Sequence, residues 1–242
     1  MIASPQTPAP SLREPIVAID GPSGVGKSTL SKLLAKELGF LHLDTGAMYR
    51  AVALAARRRG IAADDQEALG RLVTAVTIDF APAAGGDRVL LDGEDVSAAI
   101  RTPEISLLTS QVSACPAVRE ALVDRQRVLG ARGGVVLEGR DIGTVVFPDA
   151  EVKIFLTASA VERGRRRFLE LQAKGMAVDL ARTIAEVEAR DAADSGRSHS
   201  PLVQAADAEV IDTSSLGIDE VLAVMLKIVA QRRIGVHGSG LE

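Results

Sequence analysis

The chain has 242 residues, of which 47% are hydrophobic, and its 28 basic and 32 acidic residues give a formal charge of −4. This composition is typical of one folded globular domain or two small ones, and it excludes disorder of the whole chain. The mild acidity and the 2% aromatic content differ from the basic patches and stacking side chains of nucleic-acid-binding proteins. We therefore expect no nucleic-acid partner.

The cysteine content and the start of the chain bear on its compartment. Cys115 stands alone in the sequence, so neither an internal disulfide nor a cysteine-rich zinc cluster is expected. The first residues, MIASPQTPAPSLREP, lack the apolar core of a signal peptide, and no run of about 18 uncharged apolar residues occurs. We expect a cytoplasmic protein that has no membrane span.

Short apolar runs with β-branched residues predict five strands along the chain. Each run is followed by Gly, Thr or Ser and then by a helical pattern, and strands that alternate with helices indicate a parallel sheet covered on both faces. The fold class is therefore α/β. Both ends of the chain, 1–14 and 235–242, are predicted to be flexible tails. The predicted strands are Ile16–Asp20, Phe40–Asp44, Val135–Glu138, Val152–Leu156 and Glu209–Asp212.

Two long intervals between these strands predict insertions into a core made of 15–59, 133–156 and 201–234. The first, 60–132, is far longer than a crossover needs. Its predicted elements are helices at Asp64–Ala75, Pro103–Ala114 and Pro116–Arg132, and a hairpin that pairs Val76–Phe80 with Arg88–Asp92 across Gly85-Gly86. The second, 157–200, contains predicted helices at Ala160–Ala173 and Leu180–Ala193, and a last helix is predicted at Ile218–Arg233.

The most specific motif is G-x-x-x-x-G-K-S, which lies between the first strand and a helical pattern, as a phosphate-binding loop requires. Its glycines let backbone N–H groups surround an anion, and the following helix adds its positive end. Lys27 can reach the β- and γ-phosphates of a nucleotide, and the Ser28 hydroxyl can bind Mg²⁺. The alternative is a glycine-rich turn with a solvated lysine. The predicted ATP-binding residues here are Gly21, Pro22, Ser23, Gly24, Val25, Gly26, Lys27, Ser28 and Thr29.

The second strand leads into D-T-G-A-M-Y-R, which places Thr45, Tyr49 and Arg50 at the start of a helix. Open α/β sheets bind ligands at the carboxyl ends of their strands, which is where these residues fall. As an alternative, Thr45 is an N-cap and Arg50 a surface residue. The chain has neither the guanine-reading N/T-K-x-D of GTPases nor the L-S-G-G-Q of ABC-type ATPases.

The third strand ends in Glu138-Gly-Arg140-Asp141, which brings a cation and a carboxylate to the same edge of the sheet. The alternative is that Asp141 caps the next turn and pairs with Arg140. Asp44 and Glu138, at the ends of their strands, are both candidates for the surroundings of a Mg²⁺ ion beyond Ser28. The residues alone do not choose between them.

Six segments in this order and spacing resemble the bacterial-type cytidylate kinases, over roughly residues 15 to 230. They are GPSGVGKS, DTGAMYR, GEDVS-x-x-IR, SQVSA-x-PAVRE, EGRDIGTVVFPDA and VKIFLTAS. The resemblance implies a P-loop kinase core of five parallel strands, an enlarged nucleoside-monophosphate-binding insert at 60–132 and a helical lid at 157–200. It implies ATP and Mg²⁺ as cosubstrate and cofactor, and phosphorylation of CMP and dCMP to their diphosphates.

The same resemblance implies roles for individual residues. Arg140 is similar to an acceptor-phosphate ligand, and Asp141, Ser110, Arg119 and Arg197 to cytosine contacts. Arg190 and Asp194 correspond to residues that hold the monophosphate and ribose, and Thr45, Tyr49 and Arg50 are assigned to the CMP side. Many members have a further lid arginine where this chain has Ala193. Arg163, Arg166 and Arg167, which share one helix face, are the candidates to bring that charge to ATP.

Phosphoryl transfer to an already ionised phosphate needs little acid–base chemistry, so Lys27 and Arg140 are the predicted catalytic residues and no general base is assigned. We expect a monomer. Two alternatives differ from this interpretation: a kinase of another small acceptor on the same core, and a nucleotide-binding module without catalysis. The intact Lys27, Arg140, Arg190 and Arg197 argue against the second.

Overall fold

The computed structural model describes residues 13–81, 88–197 and 199–238. Within these ranges the strands are β1 Ile16–Asp20, β2 Leu41–Asp44, β3 Ile78–Ala81, β4 Arg88–Leu91, β5 Glu94–Asp95, β6 Val135–Glu138, β7 Val152–Thr157 and β8 Glu209–Asp212. The helices are α1 Lys27–Leu38, α2 Thr45–Arg58, α3 Gln66–Ala75, α4 Pro103–Val112, α5 Pro116–Gly130, α6 Ala160–Ala173, α7 Leu180–Ser195 and α8 Ile218–Gly238.

The main sheet has five strands in the order β2-β6-β1-β7-β8, and all of its neighbouring pairs are parallel. Successive side chains of a strand point to opposite faces, and β1 follows this rule. Val17 and Ile19 pack with α1 and α8 on one face, whereas Ile16 and Ala18 pack with α5 on the other. The predicted α/β class, with helices on both faces of five parallel strands, is confirmed.

The interval between β2 and β6 has a core of its own. Helices α2, α3, α4 and α5 bury apolar side chains together with the small antiparallel sheet β3-β4-β5. The predicted hairpin is present as β3 and β4, which pair Ile78 with Leu91, whereas the proposed turn at Gly85-Gly86 lies outside the described residues. Cys115 is buried in this core.

The structure differs from the predicted elements in several places. The two-residue strand β5 and a 3-10 helix at Ala99–Arg101 were not predicted, and neither was a π-helix at Ile142–Val146. Helix α8 continues to Gly238, beyond the predicted end at Arg233 and into the predicted flexible tail. The remaining parts of the predicted flexible tails, 1–12 and 239–242, lie outside the described residues.

The two predicted helices between β7 and β8 pack closely as α6 and α7. A Cβ atom on Gly164 would lie 2.5 Å from a side-chain carbon of Ile184, so the absence of a side chain permits this approach. Among the described helices, none combines the length and the apolar character needed to cross a membrane.

Candidate active site

The glycine-rich loop joins β1 to α1 at the carboxyl edge of the sheet. Gly21 has φ +146°, and a Cβ atom there would lie 2.1 Å from the carbonyl oxygen of Leu156, so this position requires glycine. Gly26 is the left-handed N-cap of α1, and no side chain caps the helix. The first N–H groups of α1 are thus available to an anion at the positive end of the helix.

Lys27 is a buried residue. The alternative interpretation, in which this lysine is solvated, is therefore wrong. Its ammonium group donates hydrogen bonds to the carbonyl oxygens of Gly21 and Pro22, at 2.7 and 2.6 Å. Burial, followed by the nearby positive charge of Arg140, lowers the pKa of Lys27 well below its ordinary value. A bound anion would counter both effects.

Glu138, at the end of β6, organises a buried polar group beside this loop. One carboxylate oxygen accepts a hydrogen bond from Ser28 Oγ at 2.8 Å. The other accepts from Ser31 Oγ at 3.1 Å and lies 3.3 Å from His42 Nε2. The residue that carries the predicted Mg²⁺-binding hydroxyl is therefore already paired with a carboxylate.

The start of α2 differs from the alternative in which Thr45 is the cap. The N-cap is Asp44, whose carboxylate accepts the N–H of Ala47 at 2.9 Å and pairs with Arg50 at 2.7 Å. Thr45 instead donates its hydroxyl to the carbonyl oxygen of Glu138 at 2.6 Å. Burial would raise the pKa of Asp44, but Arg50 and the Ala47 N–H outweigh it, and the pKa lies below its ordinary value.

Asp141 neither caps the turn that follows it nor pairs with Arg140, so that alternative is also wrong. No side-chain cap is present at Asp141, and its carboxylate forms a buried ion pair with Arg119. The guanidinium group of Arg119 lies 5.5 Å from the centre of the Tyr49 ring. A carboxylate, a guanidinium and an aromatic ring from three different elements thus meet at one place.

Arg140 pairs with Asp194 of α7 at 2.8 Å, and Asp194 also pairs with Arg197 at 2.5 Å. Asp194 is only 2% exposed, so this cluster is not a solvated helix end. Burial, followed by the charge of Arg140, lowers the pKa of Arg190 to about 10. The Nε atoms of Arg50, Arg119 and Arg190 are buried without a hydrogen-bond partner within the described structure.

These groups surround one cavity of about 300 Å³. Unpaired buried guanidinium N–H groups and lowered pKa values of the cations indicate a site suited to an anionic ligand. The predicted site residues on its lining are Ser23, Gly24, Gly26, Lys27, Ser28, Thr29, Thr45, Tyr49, Arg50, Ser110, Arg119, Arg140, Asp141, Arg190, Asp194 and Arg197. Gly21 and Pro22 contact Lys27 instead, and Val25 is buried in the core.

The three arginines of α6 do not line this cavity. Arg163 is buried and donates to the carbonyl oxygens of Ala158 and Ser23, at 2.9 and 3.1 Å, and pairs with Asp191. Arg166 bonds Glu162 and Thr213, and Arg167 pairs with Glu170. Their role as ATP ligands stays a prediction, and Arg163 contacts the phosphate loop through the carbonyl oxygen of Ser23.

Sequence reasoning missed several residues of the site. Ser106, Thr109 and Ser113 line the cavity from α4 and the turn after it, and Ser31 and His42 hold Glu138. His42 lies next to Leu41 and Leu43 in β2 and gave no sign of a polar partner. The hydroxyl residues recur at three- and four-residue steps, at 106, 109, 110 and 113, and this spacing places them on one helical face.

The sequence profile of the family described as "Cytidylate kinase" matches residues 17–231. The chain belongs to the cytidylate kinase family. The cytidylate kinase of Syntrophotalea carbinolica is 65% identical over 221 residues, which are 91% of this chain and 94% of that protein. The cytidylate kinase of Geobacter sulfurreducens is 58% identical over 224 residues, which are 93% of this chain and 96% of that protein.

A crystal structure of an uncharacterised protein from Eubacterium ventriosum shares the fold. Its TM-score is 0.50 at 11% sequence identity, over 90% of this chain and 99% of that one. At this identity the likeness concerns the fold alone. The cytidylate kinase assignment therefore depends on the family profile and the close relatives.

Proposed function

We propose that the chain transfers the terminal phosphoryl group of ATP to CMP and dCMP, giving CDP and dCDP. The observation that carries this proposal is that the phosphate loop and a cluster of arginines line the same cavity. Lys27 of the loop, Arg140 after β6 and Arg190 of α7 all line it. Family membership supplies cytidine nucleotides as the acceptor class.

The donor side of the cavity is the loop from Gly21 to Thr29. Its glycines and the open N-terminus of α1 provide backbone N–H groups for the phosphates of ATP. Lys27 moves from the carbonyl oxygens of its own loop to the transferring phosphoryl group when the nucleotide binds. In that position the adjacent anion favours the protonated form of the lysine and raises its pKa toward the ordinary value.

We assign the acceptor side of the cavity to the nucleoside monophosphate, because arginines and the carboxylate of Asp194 line it together. Arg50, Arg140 and Arg190 bind the phosphate. Its oxygens accept hydrogen bonds from the buried Nε–H groups of Arg50 and Arg190, which have no other partner within the described structure. Asp194 binds the ribose hydroxyls. Its present partners, Arg140 and Arg197, hold it in place before the nucleotide arrives.

The base is read by Asp141, Arg119 and Ser110, with Arg197 beside them. Cytosine presents an amino donor at N4 and acceptors at N3 and O2, whereas uracil presents an acceptor at O4 and a donor at N3. The Asp141 carboxylate accepts from N4, and Arg119 and Ser110 donate to N3 and O2. Uracil would place its O4 oxygen against the carboxylate of Asp141, so that two acceptors face each other. Each mismatched contact of this kind weakens binding by roughly 1–3 kcal/mol.

The residues present suit a Mg²⁺ ion at the phosphate loop. Mg²⁺ takes oxygen ligands and in nucleotide sites uses one or two protein oxygens besides phosphates and waters. Ser28 Oγ and a Glu138 oxygen lie 2.8 Å apart, whereas Asp44 is occupied by Arg50 and the Ala47 N–H. We assign Ser28 and Glu138 to hold the ion, which would offset the negative charge of the ATP phosphates.

The chemistry requires charge neutralisation and not proton abstraction. The second pKa of a phosphate monoester is near ~6, so the acceptor oxygen of CMP is largely ionised at neutral pH. Lys27 and Arg140 stabilise the negative charge that shifts during transfer. Exclusion of water from the closed cavity protects ATP from hydrolysis.

The proposed domains are assigned by which segment of the chain contributes each residue of the cavity. The segment 60–132 contributes Ser110 and Arg119 and is proposed as the nucleoside-monophosphate-binding insert. The segment 157–200 contributes Arg190, Asp194 and Arg197 and is proposed as the lid. Because one chain supplies both sides of the cavity, we propose a monomer, and nucleotide substrates favour a cytoplasmic location.

The test is ADP release from ATP and Mg²⁺ with a panel of acceptors. The panel contains CMP, dCMP, UMP, AMP, a sugar alcohol and no acceptor. We expect CMP and dCMP to give the highest kcat/KM. A preference for another acceptor would favour the general P-loop kinase alternative. ATP binding without ADP release for any acceptor would indicate a nucleotide-binding module.

A further inference from the structure

Asp20 is a buried carboxylate at the end of β1, directly before the phosphate loop, and the proposed mechanism does not use it. Its two oxygens accept the backbone N–H groups of Ile142 at 2.8 Å and Gly143 at 2.7 Å. These are the first two residues of the π-helix Ile142–Val146. Asp20 therefore connects the strand that leads to the donor loop with the segment that directly follows Arg140 and Asp141.

This contact replaces the usual cap of a helix. The first N–H groups of a helix have no partner within it, and an aspartate at the N-cap commonly accepts one of them. Asp141 is the N-cap of the π-helix but forms no side-chain cap. Because Asp20 takes both N–H groups, the carboxylate of Asp141 faces Arg119 and the cavity.

The environment of Asp20 is unfavourable for a charge. Burial, partly offset by the two backbone N–H groups, raises the pKa of Asp20 to about 6, and the negative charge of Asp141 adds to this. Lys27 acts in the opposite direction. The Lys153 side chain also packs beside Gly143. An ionised group at this position is costly to the fold, so packing alone does not explain its presence.

We propose that Asp20 is a positioning residue for acceptor selection, which holds the start of the π-helix so that Asp141 is directed at the base of the bound nucleotide. The inference rests on the proposed function, because it assumes that Asp141 reads cytosine. A purely structural Asp20 would affect stability and the turnover of every acceptor to the same degree. A positioning Asp20 affects the preference for CMP over UMP.

The test compares Asp20→Asn with Glu151→Gln in the full chain. The amide of asparagine keeps the size of the side chain but places an NH₂ group against one backbone N–H. Glu151 is a matched control, because its carboxylate also accepts a backbone N–H, that of Ile16 at 2.8 Å, at the opposite end of β1. Steady-state kcat and KM are measured for CMP, UMP and ATP.

For Asp20→Asn we expect KM for CMP to rise and the CMP/UMP ratio of kcat/KM to fall by roughly tenfold, the effect of one mismatched base contact. KM for ATP stays within about twofold, and Glu151→Gln changes each constant by no more than about twofold. A lower kcat for both acceptors with an unchanged CMP/UMP ratio would overturn the proposal.

A second measurement uses no variant, so it can be made even if Asp20→Asn does not fold. The CMP/UMP ratio of the unmodified chain is followed from about pH 7.5 to about pH 5.5. Both acceptors carry the same phosphate, so its ionisation cancels in the ratio. The ratio should fall as Asp20 becomes protonated and accepts its two N–H groups less well, whereas a constant ratio would contradict the proposal. If the unmodified chain does not phosphorylate CMP at all, the proposed function fails, and not this inference alone.

Discussion

Replacement of Asp20 by asparagine is expected to change how the stability of the fold depends on pH. The pKa of Asp20 is raised from 3.8 to about 6 in the folded state, so between these values the folded protein binds more protons than the unfolded chain. Stability therefore falls as the pH rises through this window. The shift of about 2.2 pH units corresponds to roughly 3 kcal/mol of unfolding free energy at about 1.4 kcal/mol per unit.

The assay is urea denaturation of both proteins at steps from about pH 4 to about pH 7. The wild type minus Asp20→Asn difference in unfolding free energy should decrease by roughly 2 kcal/mol between about pH 4 and pH 6 and level off near pH 7, because the rest of the total change falls below pH 4 and above pH 6. Asp44 and Asp194, whose pKa values are lowered, give the opposite slope in both proteins, and their contributions cancel in the difference. A difference that stays constant across this range would refute the reasoning.

Three further predictions concern the cavity. Lys27→Ala should lower the transfer rate by ~10²–10³-fold, because the ammonium group faces the charge that develops during transfer. Thermal unfolding should show that the variant is folded, and a folded variant with normal turnover would refute the assignment. Asp194→Ala should weaken CMP binding more than ATP binding in calorimetric titrations, and equal losses would contradict its ribose role. Asp141→Ala should lower the CMP/UMP ratio of kcat/KM by roughly tenfold, or ~1.4 kcal/mol; an unchanged ratio would mean that Asp141 does not read the base.

The sequence was sufficient for the parts of the fold that local patterns determine. Buried parallel strands are short apolar runs, so all five strands of the main sheet were predicted within one residue at each end. The phosphate loop was predicted because its glycines meet backbone requirements that few other residues satisfy, as at Gly21. Strand β5 was missed because two residues carry no periodic pattern.

Ion-pair partners were not predictable, because they depend on which elements meet in space. Asp141 is next to Arg140 in the sequence, but its partner is Arg119 of α5, and Arg140 pairs with Asp194 of α7. The same reason applies to Asp20, whose contact with the start of the π-helix joins residues more than 120 positions apart. The π-helix itself has no sequence signature that separates it from an ordinary turn.

The transfer of a labelled phosphoryl group tests the central claim most directly. The chain is incubated with Mg²⁺, CMP and ATP that carries ³²P at the γ-position, and the nucleotides are separated by chromatography. The account predicts that the label appears in the β-phosphate of CDP and that Lys27→Ala forms this product ~10²–10³-fold more slowly. Label that is recovered only as inorganic phosphate or that remains in ATP, while the protein is folded and binds both nucleotides, would contradict direct transfer to CMP in this cavity.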